Sequence, residues 1–118
     1  MDGRHVRLGM SDEAFVELLT DKLTRQLEEL SPRVDRIIAF VHHLPFRDLM
    51  PQGRPARFAF AAAYMGAERI GKALLACEKV THVYCGHSHW PGRRQIGRLA
   101  VVNVGSTYSE KRLEVLEL

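Results

Sequence analysis

Residues 36–41, RIIAFV, make a short and nearly unbroken apolar run that stops at two histidines, His42 and His43. A run of this length without polar alternation suits a strand buried on both faces, and such a strand needs a layered fold around it. A second run follows the same pattern: KVTHVYC, residues 79–85, ends at Gly86-His87-Ser88-His89. Between them lie a loop over residues 42–56, marked by Pro45, Pro51, Gly53 and Pro55, and an alanine-rich helical stretch over 57–77. Gly66 and Gly71 are the weak points where that helix could bend or split. Upstream, Ser11 with Asp12 and Glu13 has the form of a helix N-cap followed by acids in the first turn. Phe15, Leu18, Leu19, Leu23, Leu27 and Leu30 continue it as a helical stripe that stops at Ser31-Pro32. Downstream, RRQIGRLAVVNV (93–104) predicts a hairpin around Gly97-Arg98, and KRLEVLEL (111–118) predicts a last strand.

That order of elements predicts an α/β protein, a mixed sheet with flanking helices, in one domain over residues 1–118. With 46% apolar and 26% charged residues the chain is globular rather than disordered. No stretch approaches the roughly eighteen apolar residues of a membrane span, and the first residues lack the apolar core of a signal peptide, so the expectation is a cytoplasmic protein with no membrane partner. Cys77 and Cys85 fit no disulfide framework and are expected reduced. Cys85 reads as a small buried strand residue, with a soft metal ligand as the lesser alternative. A net charge of +3 is small for a nucleic-acid binder, which makes that partner class unlikely. Thirteen of the 17 basic residues are arginine, whose planar fork grips phosphate with two hydrogen bonds, although arginine also serves ordinary surface roles.

Functional side chains in such sheets gather beyond the carboxyl ends of strands, and both histidine clusters fall at such ends. Pro45 stiffens the backbone just after His43. Gly86 permits a tight exit from the second strand, and the His87/His89 spacing in locally extended backbone would aim both rings the same way, toward one or two metal ions. Neutral imidazoles suit Zn, Mn, Fe or Ni. His82 lies within a strand and His5 near a terminus, so neither is taken as a ligand.

At this point the chain resembles the calcineurin-like metallophosphoesterase family. The resemblance is carried by IIAFVHHLPF (37–46), VYCGHSHWPG (83–92) and VVNVGS (101–106), in the order of that family's later motifs. It implies half of a four-layer αββα sandwich and a site that hydrolyses phosphate esters with two divalent metal ions. By the same resemblance His89 would bind the first metal, and His87 the second together with the histidine that ends the preceding strand. Counting from the strand end selects His42; counting back from Pro45 selects His43. The family's earlier motifs, DxH, GDxxD and GNHD or GNHE, do not occur, and the one asparagine, Asn103, belongs to NVGS. Two adjacent divalent cations need carboxylates to bridge and neutralise them, which neutral imidazoles cannot do.

The chain therefore reads as the C-terminal portion of a metal-dependent phosphohydrolase. It would be incomplete without an N-terminal half that lies on a second chain, was removed, or was lost. Self-association through an exposed sheet edge is a further expectation. The alternatives are a mononuclear tri-histidine zinc hydrolase and a non-catalytic remnant used for binding or assembly. For the phosphoester substrate, Arg47 is the first candidate contact, with Arg54, Arg57, Arg93, Arg94 and Arg98 behind it. Phe46 and Trp90 are candidate pocket walls, and Tyr64-Met65-Gly66 a candidate cap.

Overall fold

A computed structural model describes residues 9–50 and 68–117. Helix α1 spans Asp12–Leu30, and Ser11 caps it as its side chain accepts from the Ala14 amide at 3.1 Å. A single 3₁₀ turn, Ser31–Arg33, with Pro32 inside it ends the helix. Strand β1 is Ile37–Phe40, followed by a 3₁₀ turn at Arg47–Leu49. Helix α2 is Glu68–Ala76, and β2, β3 and β4 are Val80–Cys85, Gly92–Ile96 and Leu99–Asn103. The N-terminal part of the expected 57–77 helix, with Gly66 and the Tyr64-Met65-Gly66 cap, lies outside the described residues, as do His5, Arg54 and Arg57.

The strands form one mixed sheet in the order β1-β2-β4-β3, with β1, β2 and β4 parallel and β3 antiparallel to β4. Gly97 and Arg98 make the two-residue turn joining β3 to β4, as the sequence predicts. A positive φ of 56° at Gly97 alone is the pattern of a turn with glycine at its first central position, whose twist matches that of the strands. The chain is thus α/β, with two described helices and a four-stranded sheet.

Both helices contribute to the core on one face of the sheet. Ala39, Val83 and Val101 sit opposite one another across β1, β2 and β4 and are buried in one cluster with Leu27 and Leu74. Leu44 and Leu49, from the segment after β1, close the same cluster. Burying side chains of this size stabilises by about 1.5–3 kcal/mol each. The other face carries the row Phe40, Tyr84 and Val102. Phe40 stacks on Tyr84 with ring centroids 5.5 Å apart, yet it is 76% exposed. Among the described residues β1 is therefore covered at Phe40 on one face only, contrary to the reading of RIIAFV as buried on both, whereas Val102 at the β4 end of the same row is buried.

The helical stripe is also only partly used: Leu27 is buried and Leu23 packs on the core, whereas Leu18, Leu19 and Leu30 are exposed. At 19 residues α1 spans about 28 Å, longer than the roughly 13–20 Å of strands of four to six residues.

Two further expectations need correction or refinement. The described part of KRLEVLEL forms no strand, and Leu113 and Val115 stay exposed at 86% and 77%. Alternation supplies the side-chain pattern of a strand but not its hydrogen-bonding partner, and a ladder requires both. Gly71, read as a weak point in a helix, is a contact point instead. It is buried, and a Cβ there would stand 2.2 Å from the Pro45 carbonyl oxygen and 2.8 Å from Phe46 Cε1. Only glycine lets α2 lie this close to the segment that follows the first histidine pair. No described helix is long and apolar enough to cross a membrane.

Candidate functional site

Pairing between β1 and β2 continues past both strands: the Val41 amide donates to the Tyr84 carbonyl at 2.9 Å, and the Gly86 amide to the His42 carbonyl at 3.2 Å. On the other side of β2, the Val104 amide donates to the Cys85 carbonyl at 3.0 Å. Three parallel strands therefore end level with one another, and whatever follows them is brought together. His42 follows β1 and His87 follows β2, and His42 Nε2 lies 3.1 Å from His87 Nδ1. The His43 ring completes a triangle, with centroids 5.1 Å from His42 and 4.6 Å from His87, and His42 and His87 are 5.0 Å apart.

The backbone of the GHSH segment is turned rather than extended, which corrects the expectation that rings at His87 and His89 point the same way. His87 has φ 64° and His89 φ 55°, both in the left-handed region that non-glycine residues rarely enter. The Ser88 amide donates to the Gly86 carbonyl at 2.7 Å, closing a three-residue turn centred on His87. A three-residue turn with positive φ at its centre is the strained form, and positions of this kind cost about 1–3 kcal/mol each unless their surroundings hold them. The consequence is a division of the pair: His87 faces His42 and His43, whereas His89 meets Tyr108 edge-on at 5.0 Å. Among the described residues no hydrogen bond or ring contact joins His89 to the other three.

The turn is held from β4. Asn103, at the end of that strand and 1% exposed, donates from Nδ2 to Ser88 Oγ at 2.6 Å. The Trp90 amide also reaches Ser88 Oγ, at 3.4 Å. Two residues on, Gly105 has φ 70°, and a Cβ there would lie 2.4 Å from the Pro91 nitrogen. Among the described residues Asn103 Oδ1 has no hydrogen-bond partner. A buried acceptor left unpaired costs about 1–3 kcal/mol, so an apolar residue would suit the core better at this position. Sequence reasoning noted Asn103 only as part of NVGS; the available signal was a single amide closing the apolar strand LAVVN, opposite Cys85.

Other candidates fall into place by their contacts. Arg47 is exposed and ion-paired through Nε with Glu68, at the start of α2. Arg93 pairs with Glu114 and Arg94 donates to the Arg93 carbonyl. Arg98 donates to the carbonyls of Leu74, Leu75 and Cys77, which ties it to the C-terminal end of α2. Phe46 packs against the core, and Trp90 is half exposed. His82 lies within β2 with Nδ1 2.9 Å from Thr81 Oγ1. Burial pushes the Cys85 thiol up to about 12, so it is protonated at neutral pH, and its side chain packs in the buried core cluster.

The donor set can be tested against a metal ion. Two imidazole nitrogens bound to one zinc at 2.0–2.1 Å stand roughly 2.9–3.4 Å apart, depending on the angle between the bonds. The 3.1 Å between His42 Nε2 and His87 Nδ1 fits a shared cation as well as it fits a hydrogen bond. Among the described residues, however, no three His, Cys, Asp or Glu side chains present their donor atoms to a common ion. The arrangement offers two nitrogen donors and leaves the remaining positions to other ligands.

No family model matches the chain, and neither a curated protein nor a solved structure matches it.

Proposed function

We propose that this chain is the C-terminal portion of a metal-dependent phosphohydrolase of the calcineurin-like metallophosphoesterase type, contributing imidazole ligands to a site whose carboxylates come from elsewhere. The observation that carries the reading is the 3.1 Å approach of His42 Nε2 to His87 Nδ1, from residues that leave neighbouring parallel strands. His42 and His87 would hold one divalent ion, Mn, Fe, Zn or Ni, and His89 would serve a second after turning from Tyr108. When bound in a complete site, such ions polarise a phosphoryl oxygen and make water nucleophilic at neutral pH. Arg47 would grip a phosphate oxygen by exchanging its exposed pairing with Glu68, a contact worth at most about 1 kcal/mol.

The exposed aromatic edge of the outer sheet face supports the finer fold reading. Phe40 and Tyr84 present an aromatic surface on the side away from α1 and α2, where the second sheet of an αββα sandwich would lie. Either the missing half or a second copy of this chain would cover it. The free thiols of Cys77 and Cys85 accord with a reducing cytoplasm.

A second reading, a mononuclear tri-histidine zinc site with an open position for hydroxide, would need the His43 ring, 4.6 Å from His87, to turn before its nitrogen reached the ion shared by His42 and His87. Metal stoichiometry and hydrolysis of p-nitrophenyl phosphate separate the two. The leading reading predicts weak binding and little turnover by this chain alone, with turnover restored by a carboxylate-bearing half. The second predicts one tightly held zinc, sensitive to His43→Ala, and turnover without help. A chain whose metal binding ignores His42, His43 and His87 fits neither.

A further inference from the structure

We infer that Asn103 is a positioning residue for His87: its side-chain amide holds Ser88, and through Ser88 the strained turn that points His87 at His42. The inference rests on the proposed metal site only for its functional consequence, since the geometry stands without an ion.

Three observations converge on it. His87 sits at φ 64° in a three-residue turn closed by the Ser88 amide, a conformation that reverts to ordinary backbone unless something outside the turn holds it. The Asn103 Nδ2 to Ser88 Oγ bond at 2.6 Å is a tie from the neighbouring strand to the residue directly after His87. The same hydroxyl accepts from the Trp90 amide, beyond His89, so a single oxygen spans the second half of the segment. Gly105 then backs onto Pro91, so Asn103-Val104-Gly105 forms a ledge against which residues 88–91 are seated.

Asn103 is also badly chosen for packing. It is buried at the end of the apolar strand LAVVN with its Oδ1 unpartnered among the described residues. A residue kept for the core would be valine or leucine, as at Val101 and Val102 next to it. This separates positioning from structural support: replacing Asn103 with an apolar residue of similar size should leave folding intact while releasing His87.

The experiment uses the full chain with Asn103→Val, Ser88→Ala and Ser88→Thr variants. In the metal-free proteins, nuclear Overhauser contacts between the His42 and His87 ring protons report the geometry directly. Titration with Co²⁺ alone reports its consequence. Asn103→Val and Ser88→Ala should each lose the His42–His87 ring contact and bind Co²⁺ at least about tenfold more weakly, the range for outer residues that orient a ligand. Ser88→Thr, which keeps the hydroxyl, should resemble the parent, and all variants should melt cooperatively within about 4 °C of it. The inference is overturned if Asn103→Val keeps the ring contact. It is equally overturned if the contact disappears only together with cooperative melting, which would make Asn103 a structural residue. If the parent chain binds no Co²⁺, the metal reading fails while the ring contact still decides the role of Asn103.

Discussion

Replacing Gly71 with alanine tests the packing that places the first histidine pair. The added methyl would lie 2.2 Å from the Pro45 carbonyl oxygen, about 1 Å inside an ordinary carbon–oxygen contact, and 2.8 Å from Phe46 Cε1. Neither neighbour yields easily, because one is backbone and Phe46 packs against the core. Either α2 must back away, opening space around the fully buried Leu74, or residues 44–46 must shift with the histidines just before them. Overpacking of this severity costs about 3 kcal/mol, and alanine returns about 1 kcal/mol of helix propensity, leaving roughly 2 kcal/mol of net destabilisation. At roughly 4 °C per kcal/mol the Tm should fall by about 8 °C. Urea unfolding of Gly71→Ala beside Lys72→Ala, at the exposed neighbouring position, provides the measurement and its control. A Gly71→Ala protein as stable as the parent, or more so, would refute the close approach of α2 to Pro45.

Gly105→Ala should destabilise by at least about 2 kcal/mol in the same assay, since it combines a positive φ with a Cβ 2.4 Å from the Pro91 nitrogen. Arg98→Ala removes the guanidinium that serves the carbonyls of Leu74, Leu75 and Cys77; it should cost about 1 kcal/mol and speed hydrogen exchange in the last turn of α2. Cys85, its thiol pushed from 9.0 up to about 12, should react with a disulfide reagent at pH 8 only after unfolding, whereas the partly buried Cys77 reacts in the native protein. The same shift sets a pH dependence. The unfolded chain loses the proton near pH 9 while the folded chain keeps it, so the stability present below pH 9 is lost progressively up to about pH 12. Cys85→Ala should flatten that decline, and an unchanged decline would remove Cys85 as its cause.

Local signals were legible wherever local chemistry decides structure. The Ser11 cap, the stop at Ser31-Pro32, the Gly97-Arg98 hairpin and the apolar runs at residues 36–41 and 79–85 each carry their own reason in adjacent residues, and the described structure has elements at all of them. Features that depend on partners were not legible. Leu113 and Val115 alternate as a strand would, yet the described residues around them form no ladder; Phe40 belongs to an apolar run, yet its ring stays exposed. Within the candidate site, strand ends announce where His42 and His87 emerge, because parallel pairing brings them level. The direction of each ring depends on backbone turns at His87 and His89 that spacing alone does not reveal. Arg98 illustrates the same limit, since its composition suits phosphate while its position beside the end of α2 gives it three carbonyls instead.

Nitrogen-15 spectra of the histidine rings during Zn²⁺ addition test the central claim most directly, that one cation is shared between two strand ends. His42 Nε2 and His87 Nδ1 should move to ligated shifts together, at the same zinc occupancy, while His82 within β2 stays in place. Resonances of His42 and His87 that remain fixed as zinc is added, or that titrate independently of each other, would contradict the account.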